Sequence, residues 1–123
     1  GESAYYYYGL SDVIPDQFHL ATLRTDSRIK DSEIRQYFVN ENLFGLGKTV
    51  MTYHGTQIAI YSRERLLVDL IRQKNKLPYD YYKEIISSYR RIVEELDFFL
   101  VEECAEKLRN RESILNAIEL EVL

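Results

Sequence analysis

Two histidines, His19 and His54, and one cysteine, Cys104, are the chain's whole stock of imidazole and thiol groups. His19 falls in a strand-like run and His54 in a turn, with no cysteine or carboxylate at the spacing a metal site uses. The pattern speaks against a metal centre. A cysteine hydrolase pairs its thiol with a histidine, and the sequence nominates none. Cys104 instead sits on the apolar stripe of a helix, as a small core residue would. FGLGKT, Phe44 to Thr49, imitates a phosphate loop, but that loop needs four residues between its glycines and a helix after its lysine. Here Gly45 and Gly47 are separated by Leu46 alone, and Lys48–Thr49 runs into a strand, so the segment reads as a turn. A nuclease built on Pro-Asp followed by Glu-x-Lys fails the same test. Pro15–Asp16 is present, yet the hairpin that should bear the acid and lysine reads TQIAIYS. A pair of carboxylates acting as general acid and base leaves no trace in one sequence, and nothing favours it. The expectation is a protein that is not an enzyme and carries no cofactor or metal.

Charge offers other candidates. Sixteen Lys and Arg face twenty Asp and Glu, a net charge of −4, which argues against strong phosphate-backbone binding by the chain as a whole. The distribution is uneven. Arg24, Arg28, Lys30 and Arg35 crowd one stretch, and Glu94, Glu95, Glu102, Glu103 and Glu106 another. Two solvated faces account for this pattern; a surface for nucleic acid or a charged partner at Arg24, Arg28, Lys30 and Arg35 is the alternative. SRERLLVDL is the third candidate. Glu64, Arg65 and Asp69 fall at the start and middle of the helix after the hairpin. Arg65 and Asp69, four apart, can pair on one face, either as a surface ion pair with helix-dipole complementarity or with Arg65 or Asp69 turned inward to pin helix to sheet through a hydrogen-bonded network. Both roles are structural.

The elements that hold these residues follow from periodicity. Ser3 suits an N-cap, and Gly9 the end of a short helix. Pro15 holds Ile14 extended. FHLATL alternates as a strand with apolar residues on both faces, and IRQYFV (Ile34 to Val39) is β-branched and aromatic enough for another. Thr49–Tyr53 and Gln57–Tyr61 are strand-like runs joined at His54–Gly55, a hairpin by its turn chemistry. After Ser62 the period changes from two to 3.6. Leu66, Leu67, Leu70 and Ile71 form one stripe behind a Ser62 N-cap. Pro78 and Asp80 open a second helix with a stripe from Tyr82 to Leu96, Asp97 caps a third, and a fourth starts near Arg111. The expected class is α+β: a small N-terminal helix and a mostly antiparallel sheet with a hairpin, followed by an array of about four helices. At 123 residues this is one domain, with residues 1–62 mixed and 63–123 helical. No apolar run approaches the roughly 20 residues of a membrane span and no secretory leader is visible. The single cysteine agrees with a reducing cytoplasm.

YYYY, Tyr5 to Tyr8, is the one run without a period. At 100° per residue the four rings circle a helix, so they cannot form a single stacking platform. Tyr5 and Tyr8, three apart, share a side and are expected against the sheet; Tyr6 and Tyr7 point elsewhere.

In order, SAYYYYGLSDVIPDQFHLATL, then LGKTVMTYHGTQIAIYSRERLLVDLIRQKNKLPYDYYKEIISSY, then a helical tail resemble the C-terminal domain of the AbiEi-type antitoxins of bacterial abortive-infection systems. The matching positions are Gly9–Leu10, Ile14–Pro15, Ser62, Glu64–Arg65 and Asp69–Leu70. Tyr8 stands where that family commonly has histidine. The resemblance implies a non-enzymatic antitoxin that counteracts a nucleotidyltransferase-like toxin encoded beside it. It also implies promoter binding through an N-terminal winged helix-turn-helix, a module with no counterpart in this sequence. Tyr6 and Tyr7 would then mark the seam against that module. The alternative is a DNA-contacting or dimerising accessory domain of a transcriptional regulator.

Overall fold

At Ser62 the backbone passes from a hairpin into a helix, and the rest of the fold is built around that corner. The computed structural model describes residues 2–15, 18–23, 34–39, 46–53, 55–108 and 111–123. Helix α1 spans Glu2–Tyr7. Strands follow at Phe18–Leu23 (β1), Ile34–Val39 (β2), Lys48–Tyr53 (β3) and Thr56–Tyr61 (β4). Four longer helices then run Arg63–Arg72 (α2), Tyr79–Arg91 (α3), Phe98–Lys107 (α4) and Arg111–Glu121 (α5). The α+β class with a C-terminal helical array is the observed one.

The strand pairing departs from expectation in one respect. β3 and β4 form the predicted antiparallel hairpin, Tyr53 opposite Thr56, with Gly55 at φ +78° in the tight turn. β1 and β2, however, pair in parallel, Phe18 opposite Ile34 and Leu23 opposite Val39. The described residues thus hold one ladder of each kind, and "mostly antiparallel" is true of the hairpin alone. Strand direction is decided by the connection, which must cross back over a parallel pair. Alternation within FHLATL or IRQYFV carries no sign of it.

Several helix ends have a local reason, although Ser3, expected as an N-cap, lies inside α1, which already begins at Glu2. Ser62 is extended (φ −65°, ψ 163°), and its Oγ accepts the Arg65 N–H at 3.2 Å, satisfying one orphan donor of α2. Asp97 does the same for α4, its Oδ1 accepting from Phe99 and Leu100. α1 ends in a Schellman turn. Gly9 takes φ +72°, its N–H donates to the Tyr6 carbonyl, and the Leu10 N–H donates to the Tyr5 carbonyl. Leu10 and Tyr5 are both buried, which supplies the apolar contact this motif favours. α3 is shorter than its apolar stripe suggests. It stops at Arg91, and a 3-10 turn at Val93–Glu95 follows. The consecutive β-branched residues Ile92 and Val93 are poor helix interior; the turn still delivers Leu96 to the core.

α2 is the centre of the core. Leu66, Leu67, Val68 and Leu70 are at most 1% exposed, so this helix is enclosed rather than laid on a surface. α4 and α5 pack on it. Apolar residues from Ala4 to Val122 close one continuous cluster around it. Each such leucine contributes on the order of 1.5–3 kcal/mol of burial. Among the described residues, no helix is long and apolar enough to cross a membrane.

Candidate functional site

The Ser-x-Glu-Arg-x-x-x-Asp-Leu segment is where the structure concentrates buried charge. Arg65 is 5% exposed and Glu64 8%, both on the first turn of α2. Sequence left open whether Arg65 paired with Asp69 at the surface or turned inward. It turns inward. Its Nη1 donates to the Leu46 carbonyl at 2.7 Å, its Nε to Asp69 Oδ2 at 3.3 Å, and its guanidinium lies over the Tyr61 ring, 4.0 Å from the centroid. Asp69 is held from the other side by Arg72. A planar fork suits this three-sided site, reaching a carbonyl and a carboxylate while stacking on a ring. α2 is thereby fastened both to the turn before β3 and to the end of β4.

That turn explains FGLGKT. Gly47 sits at φ +70°, a conformation that strains any residue with a Cβ. A Cβ placed there would come 2.6 Å from Arg65 Cβ and 3.3 Å from Cys104 Sγ. Gly47 also accepts the Ser62 N–H on its carbonyl at 2.6 Å. The glycine lets hairpin, helix corner and α4 meet. Cys104 is fully buried beside it, and burial, only partly offset by Arg65, pushes its thiol up to about 11. It is held as a protonated thiol, as a core residue should be.

Glu64 works across helices. Its Oε2 accepts the backbone N–H of Asp97 at 2.9 Å. The carboxylate thereby lies at the start of both α2 and α4, where helix dipoles favour negative charge.

Tyrosines supply the remaining fastening. Tyr5 Oη donates to the Leu66 carbonyl (3.1 Å), Tyr8 Oη to the Tyr61 carbonyl (2.9 Å) and Tyr89 Oη to the Arg63 carbonyl (2.7 Å). Three hydroxyls thus land on one six-residue stretch of backbone. Burial raises the pKa of all three, those of Tyr5 and Tyr89 well above the usual value. Tyr5 and Tyr8 share a side, as their spacing predicts, but of the two hydroxyls only that of Tyr8 reaches the sheet, at the end of β4; that of Tyr5 reaches α2, with its ring edge-on to Tyr81. Tyr6 and Tyr7 are 43% and 47% exposed, with Tyr7 set edge-on against Tyr8.

Of the four basic candidates, only Arg35 falls among the described residues; Arg24, Arg28 and Lys30 lie outside them. Arg35 is in β2, in register with His19 of β1; His54 also lies outside. No group of three metal-ligating side chains is found among the described residues. The feature that sequence reasoning missed is elsewhere. A cleft of about 120 Å³ runs along α3, walled by Tyr79, Lys83, Ser87 and Arg90, with Lys74 and Glu121 opposite. Tyr79, Lys83 and Ser87 are successive i, i+4 positions, which was a readable signal. The opposite wall comes from elements remote in sequence, which was not. Glu121 accepts from Lys74 Nζ (3.1 Å) and from Tyr82 Oη (3.0 Å); burial first, and Glu121 second, raise the Tyr82 pKa. The volume is below the 300–1,000 Å³ typical of small-molecule sites.

No protein-family model and no curated protein matches this chain. Its sequence motifs and the geometry above are therefore what a functional reading rests on.

Proposed function

We propose that this chain is the antitoxin domain of a bacterial abortive-infection toxin–antitoxin system, a non-enzymatic cytoplasmic protein that counteracts a nucleotidyltransferase-like toxin. The observation that carries the reading is the junction from hairpin to Ser-x-Glu-Arg-x-x-x-Asp-Leu. Each polar position of that motif has a distinct task. Ser62 caps α2, Glu64 caps α4, and Arg65 ties α2 to Leu46 and Tyr61, with Asp69 holding its guanidinium. Gly9–Leu10, the motif's first pair, forms the Schellman turn. These residues support the resemblance as the skeleton of one domain rather than as scattered coincidences. On this reading the half-exposed Tyr6 and Tyr7 are the seam toward the DNA-binding module of such antitoxins, through which promoter DNA is bound.

Co-expression tests the proposal. Cells carrying the cognate toxin, the nucleotidyltransferase-like frame encoded beside this one, should recover growth when residues 1–123 are expressed. If a soluble, folded chain leaves toxicity unchanged, the proposal is wrong. Direct toxin binding is not required for suppression, so growth is the deciding measurement.

A further inference from the structure

The cleft along α3 has a chemistry that the antitoxin reading does not use. Three cations, Lys74, Lys83 and Arg90, line it against one carboxylate, Glu121. That carboxylate is already engaged by Lys74 and by the Tyr82 hydroxyl. Arg90 spends only its Nε, which donates to the backbone carbonyl of Glu121. Lys83 lies over the Tyr79 ring, 5.2 Å from the centroid. Among the described residues, neither Lys83 nor Arg90 meets a carboxylate within ion-pair distance. Positive charge in this cleft thus exceeds what the protein neutralises, although the chain as a whole carries −4.

Size and shape narrow the ligand. About 120 Å³ takes a compact anion and leaves the rest of its carrier outside. At the rim stands Tyr79, 67% exposed, its ring open beside the cation. An exposed aromatic face next to a pair of unpaired cations is the arrangement that holds a phosphate and stacks the base attached to it. Arg90's fork is suited to paired phosphate oxygens, and Lys83 to a point contact. Of the carboxylates on the same helix, Glu84 accepts the Asp12 N–H at 2.8 Å, and Asp80, in the first turn, is not part of the cleft wall.

We propose that this cleft binds the phosphate of a nucleotide or of single-stranded nucleic acid, with Tyr79 as the stacking platform for its base. Lys83 and Arg90 contact the phosphate. Lys74 and Tyr82 engage the Glu121 carboxylate in the opposite wall.

The test titrates the full chain with inorganic phosphate, adenosine monophosphate and a fluorescent oligothymidylate at low salt, following amide shifts and anisotropy. The doubly substituted Lys83→Gln/Arg90→Gln chain should bind both base-bearing probes about tenfold more weakly or worse, with a shallower salt slope. Tyr79→Ala should weaken the same two probes by roughly tenfold and leave inorganic phosphate unchanged. Arg111→Gln, about 15 Å along α5 from Glu121, removes a positive charge remote from the cleft and, as the control, should change nothing. Comparison of the two base-bearing probes distinguishes a free nucleotide from a strand, either of which bears the proposal out. No binding, binding of inorganic phosphate alone, or equal losses in the control and the cleft variants would overturn it. Circular dichroism confirms that each variant is folded, and all four substitutions are at exposed positions. Growth rescue is unaffected by these outcomes, so this proposal and the antitoxin reading stand or fall separately.

Discussion

Glu64 and Asp97 are 33 residues apart in the chain and joined by one hydrogen bond, the Asp97 N–H donating to Glu64 Oε2 at 2.9 Å. In a capping box, the residue three past the N-cap returns a carboxylate or amide to the cap's own N–H. In α4 that position is Leu100, which cannot. Glu64 provides the missing half of the box from another helix, and in doing so fixes where α4 starts relative to α2.

Removing that carboxylate has a definite consequence. Glu64→Ala strands a partly buried N–H and should cost about 1–3 kcal/mol in urea unfolding. Glu64→Gln keeps an acceptor and should cost less. In a double-mutant cycle with Asp97→Ala, the losses should be less than additive, since both changes act on one cap. Strict additivity would show that Glu64 does not contribute through α4.

Two glycines with nearly the same φ separate strain from crowding. At Gly9 (φ +72°) an added Cβ would point into open space with nothing within 4 Å, whereas at Gly47 (φ +70°) it would meet Arg65 Cβ at 2.6 Å. Gly9→Ala should therefore cost roughly 1–2 kcal/mol, the left-handed penalty alone. Gly47→Ala should cost more by about 1–3 kcal/mol, because Arg65 must move or the turn must open. Equal midpoint shifts in chemical denaturation would contradict the close approach.

Arg65 is the test of the inward-turned network. Arg65→Ala leaves Asp69 largely buried with its nearer partner gone and should cost about 3–5 kcal/mol. Arg65→Lys keeps the charge but neither the fork nor the stacking on Tyr61, and should recover only part of that. Unfolding free energies of the two variants and of Asp69→Asn decide it. A loss below about 1 kcal/mol for Arg65→Ala would be the value of an ordinary surface pair.

What sequence revealed here is what is local. Ser62, Asp97 and Gly9 announce caps and stops because their partners lie within four residues. Gly55 marks the hairpin for the same reason. The apolar stripe of α2 was visible too, as was the sharing of one side by Tyr5 and Tyr8. Where the partner is remote, the sequence is silent. An i, i+4 Arg–Asp pair has the same spacing whether it faces water or the Leu46 carbonyl. Glu64 in a first turn looks like a complement to its own helix, and its bond to Asp97 exists only once α2 and α4 have docked. The parallel sense of β1 and β2 depends on their connection, and the α3 cleft on Lys74 and Glu121 arriving from either side.

Cys104 gives a probe of that core without disturbing it. The thiol is fully buried, and burial raises its pKa to about 11. Its reaction with a disulfide reagent at neutral pH should therefore be slow and should accelerate in parallel with global unfolding as urea is added. Fast labelling of the native chain, at the rate of an unfolded control, would show that α4 opens independently of the core.

Alkaline pH acts through the tyrosines fastened to residues 61–66. Burial, the main cause, holds Tyr5 and Tyr89 protonated well above the ordinary tyrosine value, which is about 10. The unfolded chain therefore gives up these protons first. Their contribution to stability is complete below about pH 10 and is lost as pH rises above it toward the folded-state values. Tyr5→Phe and Tyr89→Phe should each cost about 0.5–1.5 kcal/mol at neutral pH, one hydroxyl–carbonyl bond apiece. Combined, they should flatten the fall of unfolding free energy on the alkaline side. Ultraviolet titration of the phenolates alongside circular dichroism measures both. In the parent chain the late-ionising tyrosines should appear together with loss of helix, and an unchanged alkaline slope in the double variant would place the pH dependence elsewhere.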